Sequence, residues 1–462
     1  MTRHILILSG NLPGLITAYR LIPYGYRITI LEHHRNPPPR ASHQPSPEST
    51  LSRKPIFSPI LSGQNTPLIL HGFYRSTWAL LQELALEQPP QFIQRVDMEF
   101  GTSGGKTVTI PRAQWLSTLH PIIRLAFFNG LTWSDRWHLI NFLEKTWEGH
   151  VPPDHNSDTL TVESWLISAR QSARALGEIW NPLCRFFLGC NSNQASLGYF
   201  LEVLSRFWLP KPNGSETFLA LPDMLERLQQ ELRRVLIAKG AVFFPPTTIT
   251  HIQADTDHIQ AISLANGERL IADGYVSTLP PPDLLGLLPE RAPARFSCFS
   301  YLAQLQEISG KTVQFTLNDV PLPPRLILNS GLFDWVTSQT VSDTQEQKTW
   351  VTCANLNQSS SPTYTDEWLR NFAWPHIQHV FNISPEQSLS SCGPQVFQSA
   401  YPFFSCQTGF RTFRPLSSTP ISNLFLAGPW TTTPLPPCLE STVLSAYACA
   451  RALADFIQAS SH

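Results

Sequence analysis

Five residues near the start of the chain have the spacing of a dinucleotide-binding loop, although two of its glycines are replaced. Ser9, Asn11 and Gly14 occupy the three glycine positions of a G-x-G-x-x-G loop. Gly10 lies between the first two, and Glu32 ends the next apolar run, where an acid either binds a ribose 2′-hydroxyl or is simply solvated. The second glycine of such a loop lets the backbone approach pyrophosphate, so we expect the Asn11 side chain to lie where a phosphate should sit.

Two apolar runs and a helical stretch must position these residues. Residues 4–8 and 27–31 predict buried parallel strands. The stretch between them predicts a helix whose N-terminus favours an anion through its N–H groups and its dipole. The sequence therefore predicts a dinucleotide-binding βαβ unit.

Length and composition limit the class of protein. A chain of 462 residues suggests two or three domains, and 42% hydrophobic residues are enough for substantial cores. Charged residues make up 15%, below about 25% for an average soluble protein. The net charge of −1 gives no basic face for nucleic acid. The eight cysteines lack metal-site spacing, so we expect free thiols in a reducing cytosol and no metal.

Targeting signals are not evident in the sequence. We find no secretory signal pattern and no run of about 20 apolar residues. The 41 prolines are scattered, so they predict turns rather than a disordered tract. We therefore expect a cytoplasmic protein that is soluble or peripherally bound to the inner face of a membrane.

The order of the predicted elements indicates an α/β fold with a discontinuous first domain. This Rossmann-like domain would combine residues 1–75, 220–290 and 411–462. Residues 76–219 and 291–410 would form a second domain of mixed helices and strands.

Local patterns predict several individual elements. The amphipathic run 221–239 predicts a helix that ends at Gly240. Thr161 has the type and position of a helix N-cap. Residues 92–112 alternate around a Gly-Gly pair and predict a hairpin, and residues 440–457 predict the last helix.

Motifs in three parts of the chain carry a family resemblance that covers nearly its whole length. They are Gly63-Gln64-Asn65 with His71 to Arg75; Thr161, Trp165, Gln171, Trp180 and Pro182 in the helical insertion; and residues 423–428 with Trp430, Thr431, Leu435, Pro436 and Glu440. This order resembles the flavin-dependent amine oxidase and phytoene desaturase superfamily. Within it, the chain is most similar to the bacterial hydroxysqualene dehydroxylases of hopanoid pathways.

The resemblance implies an FAD-binding domain of the Rossmann type and a substrate domain of the amine oxidase type. It implies cofactor contacts at Ser9, Gly10, Asn11, Gly14, Glu32, Arg40, Ile249, Gly428 and Glu440. Arg40 would either supply charge to the phosphates or be an ordinary loop residue. Ile249 would offer backbone groups to adenine, and Glu440 would either cap the last helix or bind ribityl hydroxyls.

Several of the family's flavin contacts are replaced by proline. Pro38 and Pro39 stand where the family has two glycines, and proline has no N–H to face a phosphate. Pro429 stands at the acid that follows Ala-Gly, and Pro434 and Pro437 flank the Leu-Pro pair in place of small residues. Because these segments meet at one cofactor in the family fold, the sequence leaves open whether FAD is retained.

The resemblance implies reductive removal of an allylic hydroxyl from hydroxysqualene, with hydride from reduced flavin and a reductant such as NADPH. A general acid would help water leave, but the sequence does not identify one. Asp135, Glu202 and Tyr199 are candidates only because they lie in the insertion. The apolar runs 119–133 and 199–208 fit either a tunnel for a hydrophobic isoprenoid, reached from a membrane surface, or an ordinary helical core.

The sequence supports three hypotheses. The first is an FAD-dependent oxidoreductase of squalene-type isoprenoids. The second, motivated by the prolines, is a flavin-free, inactive relative that binds an isoprenoid or partner enzymes. The third is a carotenoid desaturase or isomerase, since one fold supports several reactions.

Overall fold

The computed structural model of the chain contains fifteen α-helices and twenty strands among the residues that it describes. These residues are 2–33, 68–86, 93–102, 107–109, 131–145, 157–208, 214, 216–221, 223–255, 257–305, 307–308, 311–329, 331–342, 347–355, 365–384, 395–397 and 403–460. The helices are α1 (Leu12–Leu21), α2 (Arg75–Glu83), α3 (Trp133–Lys145), α4 (Val162–Ser168), α5 (Ala173–Ala175), α6 (Asn181–Leu188), α7 (Leu197–Trp208), α8 (Met224–Ala238), α9 (Pro281–Leu287), α10 (Arg291–Arg295), α11 (Ser297–Leu302), α12 (Asp366–Trp368), α13 (Trp374–Phe381), α14 (Phe410–Phe413) and α15 (Leu439–Ala459). The strands are β1 (His4–Ile7), β2 (Arg27–His33), β3 (Leu68–His71), β4 (Ile93–Val96), β5 (Met98–Gly101), β6 (Thr107–Thr109), β7 (Thr217–Ala220), β8 (Val242–Thr247), β9 (Ile249–Ala254), β10 (Ile259–Leu264), β11 (Arg269–Leu270), β12 (Gly274–Ser277), β13 (Glu307–Ile308), β14 (Lys311–Asn318), β15 (Arg325–Leu328), β16 (Trp335–Ser342), β17 (Gln347–Asn355), β18 (Gln395–Phe397), β19 (Phe403–Phe404) and β20 (Leu424–Leu426).

A five-stranded parallel sheet is assembled from three distant parts of the chain. Its strand order is β20–β12–β1–β2–β8, and every pairing in it is parallel. Helix α1 packs against both α8 and α15. The sheet confirms the predicted α/β class, and it brings the loops after β1, β2 and β20 to the edge where parallel strands end.

The other large sheet has seven strands in the order β18–β14–β17–β16–β15–β5–β6. Strands β5 and β6 are antiparallel, as the alternation in residues 92–112 predicts. Strand β4 from the same run behaves differently, because it pairs with β7 in a three-stranded sheet with β3. The pattern of residues 92–112 predicts strands correctly but not that long-range pairing.

Two apolar cores stabilise these layers. The larger one joins the parallel sheet, α1, α8 and α15 to the helices α4, α6 and α7. The smaller one lies between the seven-stranded sheet and the segment around α13. How the chain divides into domains stays a prediction.

Three observations concern the cysteines, the lengths of the helices and the potential metal ligands. The seven cysteines that the structure describes are free thiols, and five of them are buried. Across the described part of the chain, no helix has the length and apolarity needed to cross a bilayer. No group of three or more potential metal ligands occurs within those same ranges.

Candidate functional site

The Asn11 side chain bonds to the first turn of α1 and to the residue that follows β12. Its Oδ1 accepts from the N–H of Gly14 at 3.2 Å and from Oγ1 of Thr278 at 2.7 Å. Its Nδ2 donates to the Thr278 carbonyl at 2.7 Å. Asn11 therefore caps α1 and ties the loop to the end of β12, and the expectation that its side chain lies where a phosphate should sit stays a prediction.

The backbone explains which glycines of the loop are needed. Asn11 has φ of −75°, and Ser9 is not among the residues with positive φ, so neither position requires glycine. Gly14 does, because a Cβ there would lie 2.1 Å from the Ser9 carbonyl oxygen. The loop has kept glycine at its one position of closest approach.

The N-terminus of α1 retains one amide that could bind an anion. Pro13 has no N–H, and the N–H groups of Gly14 and Leu15 bond to Asn11. Within the described residues, the Leu12 amide has no hydrogen-bond partner. It lies where the helix dipole favours negative charge.

Glu32 is paired with an arginine that the sequence analysis did not identify. Arg233 of α8 donates through Nη1 to Oε1 of Glu32. Its Nη2 donates to the Gly10 carbonyl at 3.2 Å, and its guanidinium lies 5.1 Å from the Phe243 ring centroid. Arg233 directly follows Leu232, one of the buried apolar residues along one side of α8. In the sequence, this position beside the apolar stripe was the one feature that could have indicated the contact of Arg233 with Glu32.

Ile249 lies close to the same edge of the sheet. It begins β9 and is 2% exposed. Two residues earlier, Thr247 pairs with His33, the residue after Glu32. The structure thus brings Ile249 near the end of β2, whereas Arg40 lies outside the described residues.

Gly428 lies two residues after β20, in a conformation that requires glycine. Its φ is +152°, and a Cβ would lie 2.5 Å from the indole nitrogen of Trp430. Its N–H donates to Ser445 Oγ at 2.8 Å, which ties the turn to α15. A second glycine is therefore retained where the backbone needs one.

Arg414, which no sequence motif indicates, holds the proline-rich turn that follows. Its side chain is buried and donates to the carbonyls of Pro429, Thr433 and Leu435 at 2.7 to 3.2 Å. It also donates to the Tyr199 hydroxyl at 2.6 Å and to Thr433 Oγ1 at 2.7 Å. Its Nε has no partner among the described residues.

Glu440 joins two helices instead of capping its own. Its carboxylate accepts from the N–H groups of Ser76 and Thr77 at 2.9 and 2.8 Å, and from Thr77 Oγ1 at 2.8 Å. The cap of α15 is formed by Cys438 and Ser441. Of the two roles left open for Glu440, capping of the last helix is therefore wrong, since this carboxylate stabilises the N-terminus of α2. Binding of ribityl hydroxyls stays a prediction.

The three candidate acids of the insertion are engaged in packing. Although burial alone would raise the pKa of Asp135, hydrogen bonds from Thr132 and Ser172 lower it. Glu202 pairs with Arg206 one turn later on α7. Burial raises the pKa of Tyr199, whose hydroxyl accepts from Arg414. These contacts give each residue a structural role.

An aromatic cluster surrounds His71 at the end of β3. We define this aromatic cluster as His71 with Phe73, Tyr74, Phe186, Phe187 and Phe207, whose ring centroids lie 5.2 to 6.0 Å from that of His71. Burial lowers the pKa of His71 to about 3, so the ring is neutral near pH 7. The cluster joins β3 and the start of α2 to α6 and α7 with an apolar, uncharged wall.

The chain matches a family model over most of its length. The model described as flavin containing amine oxidoreductase matches residues 65–454. This range includes β3 to β20 and most of α15, and it begins after the first βαβ unit.

The curated proteins that resemble the chain include carotenoid desaturases. It is 24% identical over 335 residues to the 15-cis-phytoene desaturase of an Oncidium hybrid cultivar, covering 70% of this chain and 57% of that protein. It is 22% identical over 338 residues to a probable zeta-carotene desaturase of Synechococcus elongatus, covering 67% and 69%. The chain thus spans little more than half of the phytoene desaturase.

Solved structures show the same fold at low identity. An oxidoreductase from Methanosarcina mazei superposes with a TM-score of 0.63 at 14% identity, covering 96% of this chain and 98% of the other. Cyclohexylamine oxidase from Brevibacterium oxydans gives 0.59 at 14% identity, covering 99% and 100%.

Proposed function

Because the chain belongs to the flavin-containing amine oxidoreductase family, we propose that it is an FAD-dependent oxidoreductase of a long, apolar isoprenoid. The reaction that we propose is reductive removal of the allylic hydroxyl of hydroxysqualene, which gives squalene and water. The observation that carries the cofactor proposal is the retention of glycine where the backbone demands it in two of the loops expected to contact the cofactor, at Gly14 and Gly428.

The described residues fit FAD. The Leu12 amide at the N-terminus of α1 would face the pyrophosphate, and Glu32 would receive the ribose hydroxyls. Asn11 is compatible with this because its side chain points toward Thr278. Pro429 contributes no N–H, but its carbonyl has a role of its own as an acceptor from Arg414.

The chemistry would be divided between cofactor and chain. Reduced FAD supplies the hydride when it is bound, and NADPH is the reductant that we propose for it. The chain orients the substrate and excludes water, and the neutral His71 adds no charge to the wall of the aromatic cluster. Aromatic faces also attract positive charge that develops as a hydroxyl leaves an allylic carbon.

The substrate class is supported by two observations. The aromatic cluster is a largely buried apolar group between β3 and the helices α6 and α7. The curated relatives are named as phytoene and zeta-carotene desaturases, and both of those substrates are isoprenoids. Of the two apolar runs noted in the sequence, 199–208 is the buried α7 and most of 119–133 lies outside the described residues.

We also propose that the protein takes its substrate from the cytoplasmic face of a membrane. Trp133 and Trp137 lie one turn apart on α3, and they are 68% and 57% exposed. Exposed tryptophans on one helix suit the boundary between lipid and water.

A visible spectrum of the purified full chain, before and after addition of FAD, tests the cofactor proposal. We expect flavin bands at near-stoichiometric occupancy, and squalene after anaerobic incubation of the reduced protein with hydroxysqualene. Gly14→Ala should bind no flavin, whereas Gly286→Ala, at an open position of α9, should bind it normally. A colourless chain that cannot be reconstituted would refute the proposal.

Two alternatives have support of their own. Pro429 has no N–H, and the family match leaves out the βαβ unit, both of which favour a flavin-free relative that binds isoprenoid or partner enzymes. The names of the curated relatives favour carotenoid desaturation or isomerisation. Failure to bind flavin would support the first. Flavin binding with turnover of a carotene but not of hydroxysqualene would support the second.

A further inference from the structure

We propose that Arg233 is the positioning residue for the adenosine end of the cofactor: it fixes the Glu32 carboxylate against the Gly10 loop so that one oxygen is presented to the ribose. This inference rests on the proposed binding of FAD. It concerns a residue of α8, far in sequence from the loop that it would organise.

The guanidinium joins three elements at one point. Arg233 extends from α8 and bonds to Glu32 at the end of β2 and to the Gly10 carbonyl in the β1–α1 loop. Two nitrogens of the planar guanidinium bind Glu32 and the Gly10 carbonyl separately, and only an arginine side chain offers two such donors in one plane. The ring of Phe243 on β8 lies beside the guanidinium and restricts its orientation.

The contact leaves half of the carboxylate available. Arg233 takes Oε1 of Glu32, and within the described residues Oε2 has no hydrogen-bond partner. A ribose 2′-hydroxyl can donate to such an oxygen. The paired guanidinium also offsets the carboxylate charge, so that Glu32 repels a neighbouring pyrophosphate less.

The environment makes this pair more than a surface ion pair. The side chains of Glu32 and Arg233 are 18% and 25% exposed, so both have lost much of their water. The loop itself lies tight against Arg233, because a Cβ at Gly10 would be 3.2 Å from Nη2. The next residue, Arg234, is 71% exposed and pairs with Glu231 of its own helix, which makes it a matched control.

The test measures how well the full chain distinguishes ADP from 2′-deoxy-ADP by calorimetry. A hydroxyl bonded to a carboxylate should make the unaltered chain prefer ADP by about tenfold or more. Arg233→Met keeps most of the length of the side chain and its contact with Phe243 but removes the guanidinium. We expect Arg233→Met to reduce the preference for ADP to about twofold or less, because the Glu32 carboxylate is no longer held in position. Glu32→Gln should have the same effect, because it removes the carboxylate itself.

Three further measurements separate positioning from general stability. Arg234→Met should keep the full preference for ADP. Arg233→Lys should recover part of it, because one cation can still reach Glu32 but cannot also hold Gly10. The double variant Glu32→Gln/Arg233→Met should lose no more preference than either single variant, since the two residues act through one contact.

The outcomes distinguish this inference from the proposed function. If Arg233→Met binds FAD and keeps the full preference for ADP, the positioning role is refuted while the flavoprotein proposal stands. If the unaltered chain binds neither FAD nor ADP, the proposed function fails, and the role of Arg233 fails with it.

Discussion

At the residue scale, a glycine fingerprint can meet two structural requirements, and in the loop between β1 and α1 only one of them is present. One is positive φ, which neither Ser9 nor Asn11 adopts. The other is close backbone approach, which falls on Gly14. Sequence spacing locates these positions but reveals neither φ nor the partners of a side chain, so the capping role of Asn11 was not predicted, while the glycine at position 14 matches its geometry.

Restoring the glycine at the second position should weaken the fold. We expect Asn11→Gly to lower the free energy of unfolding by about 1–2 kcal/mol, because the cap on Gly14 and the bonds to Thr278 are lost. FAD affinity should change less than about threefold, since the side chain is bonded to Gly14 and Thr278. Urea unfolding and flavin titration measure the two effects. Asn266→Gly in an exposed turn is the control, and a tenfold gain in FAD affinity for Asn11→Gly would show that Asn11 does obstruct the phosphate.

The third glycine should tolerate no side chain. Gly14→Ala must displace the Ser9 carbonyl, so we expect a loss of about 1–3 kcal/mol in the free energy of unfolding. Gly286→Ala meets no atom within 4 Å and should stabilise α9 by up to about 1 kcal/mol. Thermal and urea unfolding of both variants measure these changes. Equal behaviour of the two variants would contradict the close approach at Gly14.

At the element scale, carboxylates far apart in sequence tie helix ends together. Glu440 at the start of α15 receives the first N–H groups of α2, and Asp135 in α3 receives the N–H and hydroxyl of Ser172 before α5. Amphipathic runs predicted the helices, including the end of α8 at Gly240, where φ is +86°. Which helix end receives a given acid depends on packing between distant segments, and a local pattern contains no such information.

Removing the charge of Glu440 should loosen the contact between α15 and α2. We expect Glu440→Gln to lower the free energy of unfolding by about 1–3 kcal/mol, because one carboxylate accepts three bonds and an amide group would face N–H donors. Hydrogen exchange at Ser76 and Thr77 should quicken. Glu226→Gln, an exposed first-turn acid of α8, is the control and should cost only a few tenths of that amount. A similarly small loss of stability in Glu440→Gln and Glu226→Gln would contradict the role of Glu440 in joining α15 to α2.

The pH dependence of stability should report the bonds of Asp135. Its pKa in the folded chain is below its ordinary value of 3.8, so its stabilising contribution is complete above that pH and is lost as the pH falls through the lower folded value. We expect the unaltered chain to have a higher free energy of unfolding than Asp135→Asn at pH 6. This difference in free energy should become smaller as the pH falls below 3.8. Urea midpoints across this range measure the difference. Asp455→Asn, at a site that is 70% exposed, should show little difference at any pH.

At the scale of the whole molecule, the order of elements predicted the architecture better than any single motif did. Strands from three distant segments form the parallel sheet, because apolar runs and amphipathic helices recur in the expected sequence. The pairing of β4 with β7 and the fork of Arg233 between α8, β2 and the loop were not predicted. Both bring together residues more than a hundred positions apart, and only the folded chain determines such contacts.

The proposed contact with a membrane makes a prediction about the molecule as a whole. The net charge is −1, so attraction to anionic lipid would be small and binding would depend on exposed apolar groups. We expect sedimentation with neutral phosphatidylcholine vesicles that is insensitive to salt. Trp133→Ser/Trp137→Ser should weaken it at least about tenfold, because each indole contributes a large apolar area. Ile271→Ser/Leu416→Ser removes two side chains that are 69% and 68% exposed elsewhere and should bind as the unaltered chain does. Equal loss in both pairs would mean that exposed apolar area in general, rather than the tryptophans of α3, brings the protein to lipid.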